Sequence, residues 1–420
     1  MVTQNIYKWW ANRTIPEGRD RLEFILKQNG CKTSKELLLK NLGLSLTDTY
    51  WICPENYRYL TFDDVNLFDN GGNNIKFHES NGRIHYTGTP NATVGGSLYK
   101  EAVKYADGWY LEKGYNKSLP DCQQNINEAF ISKIHQMQGW KEYVDYTTEM
   151  KDGVCEKSTC KYFTSKNKEL VSAIELTGEL KKYDDEKKEV ERYIEICVEG
   201  GLDEQYVRES LDYMIAIDYI TTNSDRHWEN FGVIRDPDSL KLISVAPIFD
   251  NGNSMFYDSH YDYQRSALVR LENTGICKKE IDRLALIGNK KIVKADMLPS
   301  PKEVKDFYCE HGINDQRADQ IATLYSKKLD LFLEFQNGIQ ISFAREMDKY
   351  ISGTPFENQK PNQNYFKNNQ EDLTEEIKKL LSSDKRNNDI KNTSAYKNAV
   401  KQSKKNNNQN SNERERNRER

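Results

Sequence analysis

The stretch Ile220–Gly252, ITTNSDRHWENFGVIRDPDSLKLISVAPIFDNG, constrains this chain more than any other. It sets Asp225, then Asn230 five residues on, then an apolar run, Ile243–Phe249, that ends at Asp250-Asn251-Gly252. A carboxylate leaving an apolar strand needs a partner or a cation. Mg²⁺ accepts a few protein oxygens and takes the rest from water or phosphate, and Asn230 is a neutral oxygen ligand of the right kind. The bland alternative is a polar helix-to-loop junction, where Asn, Ser and Asp do nothing but cap and turn.

The spacing favours chemistry over the bland reading. A lone Asp-x4-Asn is common by chance, but an Asp-x-Gly at the far end of a hairpin makes it fairly specific. Together they have the separation of the loops that carry phosphoryl transfer. In such a loop one carboxylate, here Asp225, would face the acceptor hydroxyl, while Asn230 and Asp250 would hold Mg²⁺ against nucleotide phosphates. His227 is expected to support the loop. Arg226 has two readings, neutralising the transferring phosphoryl group or pairing with Asp250, and the sequence does not choose between them.

Upstream, residues 71–175 change character after a Gly-Asn loop. Thr93-Val94-Gly95-Gly96-Ser97 is a glycine loop, and Trp109–Gly114 reads as a strand ending in Lys113. Gln124–Met137 reads as a helix with Ile126, Phe130, Ile131 and Ile134 on one face and Glu128 on another. Strands are expected at Tyr143–Thr148 and Cys155–Phe163 around the turn Lys151-Asp152-Gly153. In that order the loop would cover phosphates with backbone N–H groups. Lys113 would contact them and Glu128 would hold Lys113 by an ion pair. Each signal alone is weak, since most Gly-Gly pairs are loops and most lysines are solvated.

The flanks carry less. Residues 1–70 suggest a strand at Asn5–Trp10 and two helices, the second capped by Thr33-Ser34 and ended at Gly43; they read as a helical cap without chemistry. Residues 176–350 read as mainly helical. The helix Asp203–Thr222, with Val207, Leu211, Met214 and Ile215 on one face, delivers the chain into Asp225. A hairpin of Phe231–Arg235 and Leu240–Pro247 follows, then helices from Lys279, Pro301 and Asp315. Residues 351–420 are rich in Asn, Gln, Lys and Glu, with one short amphipathic helix at Leu373–Leu381, and read as a disordered tail.

Composition excludes several classes. A net charge of −4 gives no pull toward nucleic acid or anionic membrane outside the tail, where interleaved glutamates dilute the basic residues. The eight cysteines form no CxxC pair and do not cluster with the six histidines, which argues against a zinc site and for reduced thiols. No run approaches the length of a spanning helix, and Met1–Pro16 lacks the pattern of a secretory leader. A soluble, cytoplasmic protein is the expectation.

At these residues the chain resembles the HipA-like serine/threonine protein kinases, in particular their shorter CtkA-like branch. NSDRHWENFG and APIFDNG resemble that family's catalytic and metal segments. Thr89–Gly96 resembles its phosphate loop, Tyr110–Gly114 its ATP-lysine strand and Asn127-Glu128 its helix glutamate. LSLTDTYWI and FDDVN are also similar to segments of bacterial members, so the likeness spans roughly residues 10 to 340. It implies an α+β, bilobal protein-kinase-like fold with a small β-rich N-lobe and a helical C-lobe. It implies Asp225 as catalytic base, Asn230 and Asp250 as Mg²⁺ ligands, and Thr93, Val94, Gly95, Gly96, Lys113 and Glu128 around ATP. Adenine would sit near Cys160–Phe163. The partner would be a protein with a Ser or Thr acceptor, and self-phosphorylation at Thr93 or Ser97 is implied. The competing readings are a phosphatidylinositol 3/4-kinase-like lipid kinase, suggested by Asp-Arg-His-x-x-Asn, and a nucleotide-binding pseudokinase. Intact Lys113, Asp225, Asn230 and Asp250 weigh against the second.

Overall fold

In a computed structural model of the chain, the described residues are 10, 13–71, 74–79, 82–95, 98–115, 123–178 and 185–352. The expected strand at Asn5–Trp10, apart from Trp10, lies outside them, as do Gly96, Ser97, and the tail from residue 353 on with its short helix. The chain divides into two compact units, Met1–Asp262 with Leu271–Ile339, and Tyr263–Arg270 with Gln340–Arg420. In the second unit a turn of helix, Arg265–Leu268, packs on the helix Phe343–Ser352, with Arg265 Nε donating to buried Glu346 Oε2 at 2.8 Å.

The first unit is α+β, with antiparallel strands early and helices later. Its N-terminal part carries the helices α1 (Leu22–Gln28) and α2 (Ser34–Lys40). Thr33 caps α2, its hydroxyl accepting from Glu36 N, which satisfies one of the orphan amides of the first turn. Leu42, Leu44, Leu46, Tyr57, Val65 and Leu67 form a buried cluster that also takes in Ala102 and Trp109 of the sheet. The segment that follows α2 is thus joined to the sheet by apolar packing, while Leu26 of α1 and Leu37 of α2 pack with Ile15, Cys31 and Ala92.

Strands β1 (Asn74–Glu79) and β2 (Gly82–Thr87) form a hairpin of their own. The next sheet contains β3 (Lys100–Tyr105), β4 (Gly108–Lys113), β5 (Tyr146–Lys151) and β6 (Val154–Lys161), in the order β3-β4-β6-β5. The tight turn between β3 and β4 sets Lys100 opposite Lys113. Asp152 and Gly153 both take positive φ, 51° and 78°, giving the two-residue turn that the twist of β5 and β6 prefers. Helix α3 (Gln124–Gln138) lies on β5 and β6. Asn125 Nδ2 donates to Cys155 O at 2.9 Å, and Tyr146 N donates to Ser132 Oγ at 3.0 Å.

The first of the two expected strands begins later than the sequence suggests. Tyr143 instead forms a parallel bridge to Ile248, with Val144 N donating to Ile248 O at 2.9 Å. The apolar content of Tyr143–Thr148 serves this crossing, which fixes the segment running into Asp250.

The later part holds α4 (Glu186–Glu199) and α5 (Glu204–Thr221), capped by Asp203 and ended by Thr222 in the left-handed region. Every residue of α5 from Ser210 to Thr221 is buried, so it is a central helix rather than an amphipathic surface one. A three-stranded sheet, β7 (Glu169–Ser172), β8 (Gly232–Arg235) and β9 (Leu242–Val245), carries the chain past it. Helices α6 (Pro301–Glu310) and α7 (Asp315–Gln336) pack against each other, and α7 packs on α5. No helix among the described residues is long and apolar enough to cross a membrane.

His135, on α3, is wholly buried, with Nδ1 2.9 Å from Tyr213 OH. Burial, and then the Arg226 charge, push its pKa down to about 3. The unfolded chain therefore binds the extra proton between about pH 3 and 6.5, and stability falls as pH drops below the unfolded value. By pH 5 the loss attributable to this ring is about 2 kcal/mol. Urea unfolding at pH 7 and pH 5 should show His135→Gln losing less stability over that interval than the wild type; parallel losses would contradict the assignment.

Candidate active site

Thr222 ends α5 in a left-handed turn, and the chain enters a loop held by one buried guanidinium. Arg226 is 1% exposed. It donates from Nε to Asp218 Oδ2 at 2.9 Å and from Nη1 to Asn230 O at 2.9 Å, and it also reaches Phe249 O and Asn251 Oδ1. Both sequence readings of Arg226 are therefore corrected. It neither faces a transferring group nor pairs with Asp250; it ties helix, loop and the 249–251 segment together. Burial alone would lower its pKa, but Asp218 outweighs that and raises it. Asn223 Nδ2 also bonds Asp218, at 2.9 Å, while its Oδ1 accepts Asp225 N at 3.0 Å. His227 does support the loop, its Nδ1 accepting Glu229 N at 3.2 Å.

This scaffold exposes one carboxylate. Asp225 Oδ2 accepts from Asn253 Nδ2 at 2.9 Å, and Oδ1 accepts from Thr274 Oγ1 at 2.9 Å. Asn230 is buried, and its Nδ2 donates to Asp225 O at 2.8 Å.

Across from it stands an ion cluster built from β3, β4, α3 and the Asp250 turn. Lys113 Nζ lies 2.6 Å from Glu128 Oε1 and 2.8 Å from Asp250 Oδ1, and 5.0 Å from the centre of the Tyr146 ring. Burial works to lower the Lys113 pKa, but Asp250 and Glu128 prevail and it is raised well above the ordinary value. Asp250 itself is held well below the carboxylate range: burial pushes it up, and Lys100, Lys113 and Arg226 more than offset that. Lys100 Nζ is 3.9 Å from the same Asp250 oxygen, and burial lowers its pKa although Asp250 opposes the change.

Glu128 is a clamp in two senses. Its Oε1 takes Lys113 and its Oε2 accepts Asn251 N at 2.9 Å, so one side chain sets both the lysine and the turn after Asp250. Asp250 adopts φ 58°, a left-handed conformation that Asp tolerates better than most residues. Gly252 sits close to α3: a Cβ there would lie 3.2 Å from Gln124 O and 3.5 Å from Glu128 Oε1, a tight fit that a larger residue takes only with a small shift. Asn127 Nδ2 secures the turn from α3 by donating to Gly252 O at 2.8 Å and Ser254 O at 2.7 Å.

Lys100, Lys113, Glu128, Asp225, Asp250 and Gly252 all line one cavity of about 310 Å³. Of the expected site residues the structure thus brings Lys113, Glu128, Asp225 and Asp250 together. Asn230 does not line that cavity, nor do Thr93, Val94 and Gly95, and Gly96 lies outside the described residues. The Thr93 hydroxyl donates to Leu44 O at 3.1 Å, and Val94 packs on the N-terminal apolar cluster. The Cys160–Phe163 segment continues β6, with Phe163 against the Phe249 ring.

Sequence reasoning missed several members. Lys100 was legible from the hairpin register, since a two-residue turn at Ala106-Asp107 places it opposite Lys113. Arg19 had no such signal. It is 4% exposed and holds the glycine loop from both sides, binding Gly95 O at 3.2 Å as well as Val94 O and Lys100 O. The N-terminal segment is therefore more than a cap. Asn253 and Thr274 reach Asp225 only through the folded loop and carry no local pattern.

Among the described residues no group of three or more His, Cys, Asp or Glu could hold a metal alone. An Asp carboxylate with an amide oxygen suits a Mg²⁺ that arrives with phosphates and keeps several of their oxygens. Two lysines against Asp250 and Glu128 leave the cluster without net charge, so a polyphosphate with its cation fits better than a bare anion.

No family model matches this sequence, and no curated protein matches it. Among solved structures it is similar to the Helicobacter pylori proinflammatory kinase CtkA, with a TM-score of 0.41 and 16% identity, covering 60% of this chain and 96% of that one. That similarity is too low to transfer any residue's role.

Removing one partner of the Arg226–Asp218 pair strands the other charge inside the protein. Asp218→Ala should cost about 3–5 kcal/mol in urea unfolding, and Asp218→Ala with Arg226→Met should recover part of it. Equal stability of the single variant and the wild type would show that the pair does not hold the loop.

Proposed function

We propose that the chain is an ATP- and Mg²⁺-dependent serine/threonine protein kinase of the HipA type. The observation that carries this reading is the contact of Lys113 with Glu128 and Asp250, at 2.6 and 2.8 Å, in a cavity that Asp225 also lines. A buried ammonium set by a helix glutamate, a carboxylate on an Asp-x-Gly turn and a second carboxylate on an Asp-x4-Asn loop are the parts that phosphoryl transfer uses.

Each residue has a role in the proposal. Lys113, with Lys100 beside it, binds the phosphates, and Glu128 keeps Lys113 in place. Asp250 and Asn230 would hold Mg²⁺, which supplies charge neutralisation on the phosphates when bound. Asp225 accepts the proton of the acceptor hydroxyl and orients it; Asn253 fixes the carboxylate. Little covalent work falls to the protein, so catalysis is positioning and electrostatics. The acceptor is a Ser or Thr of a protein substrate, or of this chain.

The test is transfer of labelled phosphate from ATP with Mg²⁺ to a generic protein acceptor. Asp225→Asn should slow it by about a thousandfold while leaving nucleotide affinity nearly unchanged. Undiminished transfer in that variant would remove Asp225 from the chemistry. A label that appears on lipid and not on protein would replace the acceptor class.

A further inference from the structure

We infer that Thr274 is a phosphorylation site of this chain and that its own site modifies it. The inference rests on the phosphotransferase reading of Asp225. An acceptor hydroxyl in such a site donates to the base, and the structure already has a hydroxyl there: Thr274 Oγ1 lies 2.9 Å from Asp225 Oδ1 and 3.1 Å from Ser224 O. Thr274 is exposed, unlike Asn223 and Arg226 of the loop it touches, so its side chain is not a core element.

The segment around Thr274 is built to keep that hydroxyl in place. Thr274 N donates to Ser224 O at 3.0 Å, and Asn273 N to Lys278 O at 3.0 Å, closing a short loop with a bridge between Glu272 and Lys279. Gly275 follows directly, and a Cβ there would meet Arg283 Nη2 and Asn273 Oδ1, each at 2.9 Å, and Arg226 O at 3.2 Å, so a larger residue would have to displace the buried Arg283 guanidinium and the Asn273 side chain. Glu280 is 1% exposed and anchors both loops. It accepts from Asn273 Nδ2 at 3.3 Å and pairs with Lys328 at 2.8 Å and Arg283 at 3.2 Å; Arg283 in turn bonds Asn223 O. The Thr274 loop and the Asp225 loop therefore hang from one buried ionic centre and cannot drift apart cheaply.

The step balances with a nucleoside triphosphate as donor. Thr274 Oγ forms a bond to the γ-phosphorus, and its proton passes to Asp225 Oδ1. The bond from the γ-phosphorus to the bridging oxygen breaks, and the diphosphate leaves with that electron pair. The product places a phosphate carrying about two negative charges against the Asp225 carboxylate, where like charges repel. The modification is thus self-limiting, one phosphate per chain, and it withdraws the base from further turnover.

The full chain is incubated with ATP and Mg²⁺, and the tryptic peptide Leu271–Lys278 is followed by mass spectrometry. That peptide, LENTGICK, has Thr274 as its sole hydroxyl-bearing residue, so a mass gain there assigns the site. Phosphate is expected on this peptide in the wild type and in Thr274→Ser, absent in Thr274→Val, and slowed about a thousandfold in Asp225→Asn. Its first-order rate constant should not change on dilution, since acceptor and base share one chain. Label on other residues or on an added protein, with this peptide unmodified, overturns the inference and leaves the kinase reading standing. A rate that falls with dilution overturns modification within the chain. No label anywhere, together with no ATP binding, overturns both.

Discussion

The rest of the site depends on the placement of one ammonium group. Lys113 is buried between Glu128 and Asp250, which come from a helix and from a turn more than a hundred residues later. An isolated buried ammonium would lose its proton, and an isolated buried carboxylate would gain one. Here each suppresses the other's tendency, and the pairing holds three distant segments to one geometry. A second lysine, Lys100, sits directly across the β3–β4 pair from Lys113, a like-charge juxtaposition that is ordinarily unfavourable. It is tolerated because the two carboxylates balance it and because a cavity leaves room for an anionic ligand.

A second buried cation does the same work on the other side. Arg226 gathers Asp218, Asn230, Phe249 and Asn251, so the end of α5, the Asp225 loop and the start of the Asp250 turn move as one body. Each guanidinium N–H that meets a carbonyl or carboxylate removes an orphan acceptor as well as adding a bond. The Asp225 and Asp250 carboxylates line the cavity, while Arg226, Asn223 and Asn127 are committed to the helix, the loop and the turn that carry them.

Much of this was legible in the sequence, and the limits have physical causes. The helix that delivers Asp225, the hairpin before Asp250 and the strand that ends in Lys113 all follow from short-range periodicity and turn chemistry, while the α+β class is what the family resemblance implies. The partnership of Lys113 with Glu128 could be expected because both lie on regular elements with a defined order. Arg226 was misread because a sequence shows a charge beside Asp225 but not which way it points; buried, it faces backward. Arg19 and Thr274 were invisible for a related reason. Their roles come from long-range contacts to loop backbone, which leave no spacing or pattern in the residues themselves. The strand expected from Tyr143 began later because its first residues bridge to Ile248, a contact between segments far apart in the chain.

The central claim is that Lys113 and Asp250 form a site for a polyphosphate with its magnesium ion. Calorimetric titration of the protein with ATP, with and without Mg²⁺, tests it most directly when wild type and Asp250→Asn are compared. The account predicts that wild type binds ATP with Mg²⁺ at least about tenfold more tightly than without it, some 1.4 kcal/mol, and that Asp250→Asn loses this advantage. Affinity that is indifferent to Mg²⁺ in the wild type, or an unchanged Mg²⁺ dependence in the variant, would contradict it.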